Sequence, residues 1–236
     1  MIIFTGTGRS GTGLYAKLFD AHHEYNVRFL TEYFHGQPCP TDPFADFDLR
    51  LSLMSAHLSR VDFATFRDSS NPYVHFLDAL YALDPDVRIV LGVRDGRDFV
   101  ASGVTRGYHD PDKYPLFSMI PTQDDPYYDK WPAMSPLERC AWMWTYRNQK
   151  ALDRFSSVPT AHKRIVRLED LRHRPTLKAL ETFAGVRAKR RFLYRNVNAN
   201  KRAAYPPKEE WDSEMHQPFN TIAGNMMTRF GYELSH

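Results

Sequence analysis

Short apolar runs alternate along this chain with longer stretches in which apolar residues return every three or four positions. The opening run, MIIFT (1–5), is β-rich and is cut off by glycines, which predicts a buried strand. Leu14, Leu18 and Phe19 then recur at helical spacing and predict a helix over about 12–21. RIVLGV (88–93) and RIVRL (164–168) predict two more strands, followed by helices over 95–105 and 175–184. Periodicity also predicts helices over 73–83 and 136–155 and a closing helix over 219–230. On the 136–155 stretch, Trp142, Trp144 and Tyr146 read as core packing. Strands alternating with helices imply an α/β fold: one domain, 1–236, with a central parallel sheet and helices on both faces.

Two stretches break the pattern. Residues 108–135 are rich in Pro, Asp and aromatics, and a loop so long inside a compact domain is usually functional or disordered. Its aromatics argue for order, so a lid or an acceptor-binding insertion is expected. Residues 196–217 form a second irregular, basic stretch.

Bulk properties narrow the field only a little. The 236 residues carry 31 Lys and Arg against 28 Asp and Glu, a net charge of +3. That mild excess suits an enzyme with an anionic ligand as well as a weak nucleic-acid binder. Cys39 and Cys140 make no disulfide framework and lack His or Cys partners at metal spacing, so no zinc site is expected. Free thiols suggest a reducing, cytoplasmic setting. No apolar run approaches the roughly 20 residues of a membrane span. With a strand starting the chain, no signal peptide is expected.

The chemistry concentrates in two motifs. GTGRSGTG (6–13) follows the first strand, and Gly6 and Gly11 satisfy the spacing of a phosphate-binding loop. The Lys-Ser/Thr pair that reaches terminal phosphates and holds Mg²⁺ is replaced by Thr12-Gly13, which argues against a metal-dependent ATP enzyme. What remains is a nest of backbone amides, the Ser10 and Thr12 hydroxyls and the Arg9 guanidinium. Such a set suits an oxyanion handled without metal. The competing reading is a Gly-rich turn of a Rossmann-like protein. The second motif, RDGRDFVASGVTRG (94–107), begins at the end of the RIVLGV strand, at the edge where open α/β sheets bind ligands. Ser102 and Arg106 stand one helical turn apart, so Arg94, Ser102 and Arg106 are candidates for one phosphate. Asp95, Arg97 and Asp98 are the counter-signal, since alternating charges also suit a solvated helix start.

Together the motifs resemble the sulfotransferases that use 3′-phosphoadenosine 5′-phosphosulfate (PAPS). In that family an R-S-G-T-[ST] loop binds the 5′-phosphosulfate, and Arg9-Ser10-Gly11-Thr12 matches it, with Gly13 in place of the second hydroxyl. A later strand–helix junction binds the 3′-phosphate, and Arg94, Ser102 and Arg106 match it in order and separation. VRLEDL (166–171) and the ending FGYEL (230–234) are weaker echoes. The resemblance implies a P-loop nucleotidase-like fold and sulfuryl transfer from PAPS to a hydroxyl acceptor: a peptide tyrosine, a glycan or a small molecule. It implies no metal, and no nucleic-acid partner is expected. It also implies that Lys201 and Arg202 fall where the family's C-terminal loop closes over the nucleotide.

Sulfuryl transfer needs a base for the acceptor and a cation near the leaving oxygen. Glu32 resembles the general base of the tyrosylprotein and glycan branches in its distance past the loop; His22 and His23 are alternatives, though DAHH (20–23) also reads as a helix end with histidines opposing the dipole. Relatives often carry a lysine between the two motifs. FRDSSNPYVHFLDAL (66–80) has none, leaving Arg67 or His75 as substitutes, a hydrogen-bonding role for Ser69 or Ser70, or Arg9 alone. The cluster Arg187, Lys189, Arg190, Arg191 reads as a solvated helix face or an attractor for an acidic acceptor. Two rival functions stay open: an atypical P-loop kinase, and a basic nucleic-acid-binding domain supported by 108–135 and the cations of 187–202.

Overall fold

The computed structural model describes residues 1–23, 46–113, 119–193 and 205–234. In chain order the elements are β1 (Ile2–Thr5), α1 (Thr12–Phe19), β2 (His22–His23), α2 (Phe47–His57), β3 (Arg67–Ser69), α3 (Leu77–Leu83), β4 (Arg88–Val93), α4 (Gly96–Arg106), α5 (Pro136–Ser156), β5 (Lys163–Arg167), α6 (Arg174–Ala184) and α7 (Ser213–Arg229). The strands form one five-stranded sheet in the order β2-β3-β1-β4-β5, and every pairing is parallel. The fold is α/β and P-loop-like.

By its contacts the chain divides into two compact units. The first comprises Met1–Leu30, Phe44–Arg94 and Lys150–Ala199 and contains the whole sheet; the second comprises Thr31–Pro43, Asp95–Gln149 and Asn200–His236.

In the sheet unit the pleat sorts side chains by parity. Phe4, Val90 and Val166 join Tyr15, Leu18 and Phe19 of α1 and Leu177, Leu180 and Phe183 of α6 in one cluster. Phe4 stacks between the two aromatics of α1, 4.8 Å from Phe19 and 5.3 Å from Tyr15. Ile3 and Ile89 point to the opposite face and are also fully buried, so both faces are covered, as an all-parallel sheet requires.

Several elements depart from the sequence reading. The helix expected over 73–83 is a 3₁₀ turn, Asn71–His75, started by Pro72; the α-helix resumes only at Leu77, after Phe76 leaves helical geometry (φ −130, ψ 20). The closing helix begins at Ser213, not 219, because Asp212 caps it by accepting from the Met215 N–H (3.0 Å). That also shortens the irregular stretch expected over 196–217. DAHH is not a cation-capped helix end: α1 stops at Phe19, Asp20 turns left-handed (φ 54), and His22 and His23 extend along β3. Arg187, Lys189, Arg190 and Arg191 lie beyond the end of α6, which Gly185 terminates at φ 67, so they form no α-helix face; Arg190 and Arg191 open a short 3₁₀ turn. There Lys189 pairs with Asp20 (2.6 Å) and Arg190 with Glu181 (3.2 Å). Strand β3 has no apolar residue, and in α2 Phe47, Leu49, Leu51 and Leu53 alternate instead of recurring at helical spacing. Asp46 caps α2, and Arg50 pairs with Asp78 of α3 at 2.5 Å.

In the second unit, the described part of 108–135 is packed against α5. Tyr108, Met119 and Met134 are buried, and the Trp142 indole donates to the Asp125 carboxylate (3.2 Å). Trp131 meets Trp142 edge-on at 5.1 Å, and Arg139 lies over Trp131 at 5.2 Å. Trp142 and Trp144 are core residues, as expected.

Candidate functional site

The loop between β1 and α1 has a backbone that ordinary sequences avoid. Gly8 (φ 101), Arg9 (φ 53) and Gly11 (φ 90) all lie in the left-handed region. For Arg9 this costs on the order of 1–3 kcal/mol, a strain characteristic of ligand-binding sites. Gly6 is required by close approach: a Cβ there would overlap both the Ser10 side chain and the Gly92 carbonyl oxygen. Gly92 of β4 is required too, since its Cβ would come 2.8 Å from the Tyr15 ring. The glycine of RIVLGV thus serves the loop, a signal available in the sequence once the loop's neighbour is known.

The polar content of the loop is unbalanced. Ser10 is 1% exposed, and its hydroxyl has no hydrogen-bond partner among the described residues. Leaving a buried hydroxyl unmatched costs about 1–3 kcal/mol. Helix α1 is preceded by Gly11, which offers no side-chain cap, so its positive end is not answered by a protein oxygen of that kind. A donor hydroxyl, an uncapped helix start and a strained arginine make a cradle that fits an anionic oxygen.

The cradle is braced from β3, which the sequence reading missed. Ser69 Oγ donates to the Thr12 carbonyl (2.8 Å), and Ser70 Oγ donates to Asp68 (2.9 Å). Asp68, fully buried, also accepts from the Ser69 N–H (2.7 Å). These hydroxyls support the loop's frame. Arg67 pairs with Ile2 at the start of β3, the far end from the loop, and its guanidinium reaches the Phe19 carbonyl (3.5 Å). It does not substitute for the missing lysine. His75 closes the 3₁₀ turn after β3, half-buried, its ring edge-on to Phe76. Thr5 Oγ1 bonds the Ser70 and Asn71 carbonyls, tying this turn to the carboxyl edge of β1.

The two motifs meet within the sheet unit through Arg94, whose Nη1 donates to the Arg9 carbonyl at 3.5 Å. On the other side, Leu168 of the VRLEDL segment packs where a Cβ on Gly11 would lie. Tyr15 is fully buried beside the loop, and burial, aided by Glu169, pushes its phenol well above the usual tyrosine range.

In the second unit, Ser102 is buried in the middle of α4, and Arg106 stands at its last turn. The helix starts at Asp95, whose carboxylate caps it by accepting from the Arg97 N–H (2.9 Å). The Arg97 guanidinium turns back onto both Asp95 oxygens (3.0 and 2.8 Å). Lys208 Nζ then bridges Asp95 (3.0 Å) and Asp98 (3.1 Å). Burial works to raise the Asp95 pKa, but hydrogen bonds from Arg97 and Lys208 outweigh it and hold the carboxyl below its ordinary value. The counter-reading of Asp95, Arg97 and Asp98 as a solvated helix start gives way to a part-buried ion cluster, and Lys208 is a member the sequence reading did not name. Cys140 is buried on α5, which pushes its thiol up to about 12.

Glu32, Lys201, Arg202 and Cys39 lie outside the described residues. Among those described, no three His, Cys, Asp or Glu side chains gather as a metal site, and no helix is long and apolar enough to cross a membrane.

This arrangement is the sulfotransferase-family fold. The resemblance to solved structures is one of fold, at low identity. A sulfotransferase domain from the curacin biosynthetic pathway aligns with a TM-score of 0.57 and 15% identity, covering 100% of this chain and 98% of that one. A sulfotransferase domain from a Synechococcus olefin synthase aligns at 0.54 and 14%, covering 100% and 95%. A sulfotransferase from Alicyclobacillus acidocaldarius aligns at 0.52 and 12%, covering 99% and 96%. No protein-family model matches the sequence, and no curated protein sequence matches it.

Proposed function

We propose that this protein transfers a sulfuryl group from PAPS to a hydroxyl acceptor without a metal ion. The observation that carries the reading is the Ser10 hydroxyl, buried without a partner in a strained loop at the uncapped start of α1. A phosphosulfate supplies the oxygens that such a loop lacks. In this reading Arg9, Ser10, Gly11, Thr12 and Gly13 hold the 5′-phosphosulfate, and Arg9 spreads positive charge over the leaving oxygens. Arg94, Ser102 and Arg106 hold the 3′-phosphate, an assignment that rests on the motif spacing, and Lys201 reaches the nucleotide, an assignment that rests on the family resemblance. Glu32 takes the acceptor's proton, and His75 stands in for the lysine that relatives carry near the leaving oxygen. The 108–135 stretch borders the acceptor, which is a peptide tyrosine, a glycan or a small alcohol or phenol.

The test is sulfate transfer from PAPS in excess EDTA, for wild type and Glu32→Gln. Turnover is expected to persist under chelation, and Glu32→Gln to lower the maximal rate by roughly 10²–10⁴. Activity lost with EDTA and restored by Mg²⁺ would favour a kinase-like reaction instead. A Glu32→Gln rate within about tenfold of wild type would move the base elsewhere.

A further inference from the structure

Four ionisable groups converge on the first turn of α4. Asp95, 3% exposed, accepts from the Arg97 backbone, the Arg97 guanidinium and Lys208 Nζ; Asp98 accepts from Lys208 as well. An Asn or Ser caps a helix about as well as an Asp, without a buried charge to compensate. Buried ion clusters add little net stability, so stability alone does not account for this one. The cation that completes it arrives from a distant, well-anchored turn. Lys208 opens the 3₁₀ turn Lys208–Glu210, and Trp211 donates to the Pro206 carbonyl (3.1 Å) while packing edge-on against Phe219 of α7. Asp212, next in the chain, caps α7. The Lys208 ammonium is therefore held from a rigid base, and it grips the helix that carries Ser102 and Arg106 at its first turn.

We infer that Lys208 is a positioning residue: by clamping Asp95 and Asp98 it sets the axial position of α4, and so places Ser102 and Arg106 for the 3′-phosphate. This rests on the reading of Ser102 and Arg106 as 3′-phosphate ligands. Lys208 touches no nucleotide in this account, and its effect is read through the discrimination between 3′-phosphoadenosine 5′-phosphate and 5′-AMP.

Calorimetry with both nucleotides on wild type, Lys208→Met, Lys208→Arg and Asp98→Asn tests it, with melting temperatures recorded alongside. Lys208→Met is expected to lower the preference for the 3′-phosphorylated nucleotide about tenfold, the loss of roughly one charge-assisted hydrogen bond. Binding of 5′-AMP stays near wild type, and Lys208→Arg restores most of the preference. Asp98→Asn keeps the helix cap and removes one of the two negative charges that hold Lys208; it gives a smaller loss of the same sign and carries the test if Lys208→Met does not fold. A lowered melting temperature with an unchanged nucleotide preference in these variants makes the cluster structural only and overturns the inference. A wild type that does not prefer the 3′-phosphorylated nucleotide overturns the ligand reading itself, and this inference with it.

Discussion

The loop at Gly6–Gly13 and the first turn of α4 both bury polar groups, and they treat them in opposite ways. In the loop the Ser10 hydroxyl is shut away from water with no partner among the described residues, next to an arginine in left-handed geometry. At the start of α4 the buried Asp95 carboxylate accepts hydrogen bonds from a backbone amide, a guanidinium and an ammonium. A folded chain seldom leaves a buried hydroxyl unmatched unless something outside the chain completes it. On the proposed reading, the contrast separates a region that receives a ligand from one that holds a position.

The contrast predicts that stability and binding respond in opposite ways in the two regions. The largest effect on stability is expected at the satisfied one. Asp95→Ala removes the cap and strands two cations, and should cost about 3 kcal/mol, the low end for a broken buried pair because Lys208 keeps a quarter of its side chain exposed. Chemical denaturation reads this directly, and a loss under about 1 kcal/mol would show that the cluster is solvated. The pH dependence follows from the same group. The folded-state pKa of Asp95 is depressed, so its contribution is present above the unfolded value near 3.9 and is lost as pH falls through the lower folded one. Acid unfolding of Asp95→Asn should accordingly be less steep than that of wild type.

Ser10→Ala comes next and should behave in the reverse sense. Removing an unmatched buried hydroxyl leaves stability unchanged or raises it slightly, while affinity for 3′-phosphoadenosine 5′-phosphate falls about fivefold to tenfold, one hydrogen bond to a charged group. Lost stability with unchanged affinity would mean that the hydroxyl serves the fold.

Arg9→Gly should move stability and activity in opposite directions. Glycine adopts left-handed geometry freely, so relief of strain should raise stability by about 1 kcal/mol, or roughly 2–4 °C in a chain of this length. Sulfate transfer should still be lost with the guanidinium. A variant that is both less stable and fully active would remove Arg9 from the site.

Much of this was legible in the sequence where a signal is local. The strands β1, β4 and β5 are short apolar runs bounded by turn residues, and α1, α4, α5 and α6 carry their periodicity within themselves. The loop announced itself by glycine spacing, and the missing lysine narrowed its chemistry. What the sequence hid depends on partners distant along the chain. Strand β3, Arg-Asp-Ser, has no apolar residue, and its identity comes from lying beside β1 with Asp68 buried. Lys208 lies more than a hundred residues from Asp95 and Asp98, so no spacing rule connects them. Asp95, Arg97 and Asp98 looked like a solvated start because alternating charge reads the same whether or not a lysine later covers it. Arg67 attracted attention only by being the nearest cation to a missing lysine, and strand register put it at the wrong end of the sheet.

The central claim, a loop and a strand–helix junction that together read a 3′-phosphorylated nucleotide, is tested most directly by calorimetry. Wild type and Arg94→Ala would each be titrated with 3′-phosphoadenosine 5′-phosphate and with 5′-AMP, in EDTA. Wild type should bind the 3′-phosphorylated nucleotide more tightly, and Arg94→Ala should lose at least about tenfold for it and little for 5′-AMP, as expected for one charge-assisted contact. Equal affinities in wild type, or equal losses for both nucleotides in Arg94→Ala, would contradict the account.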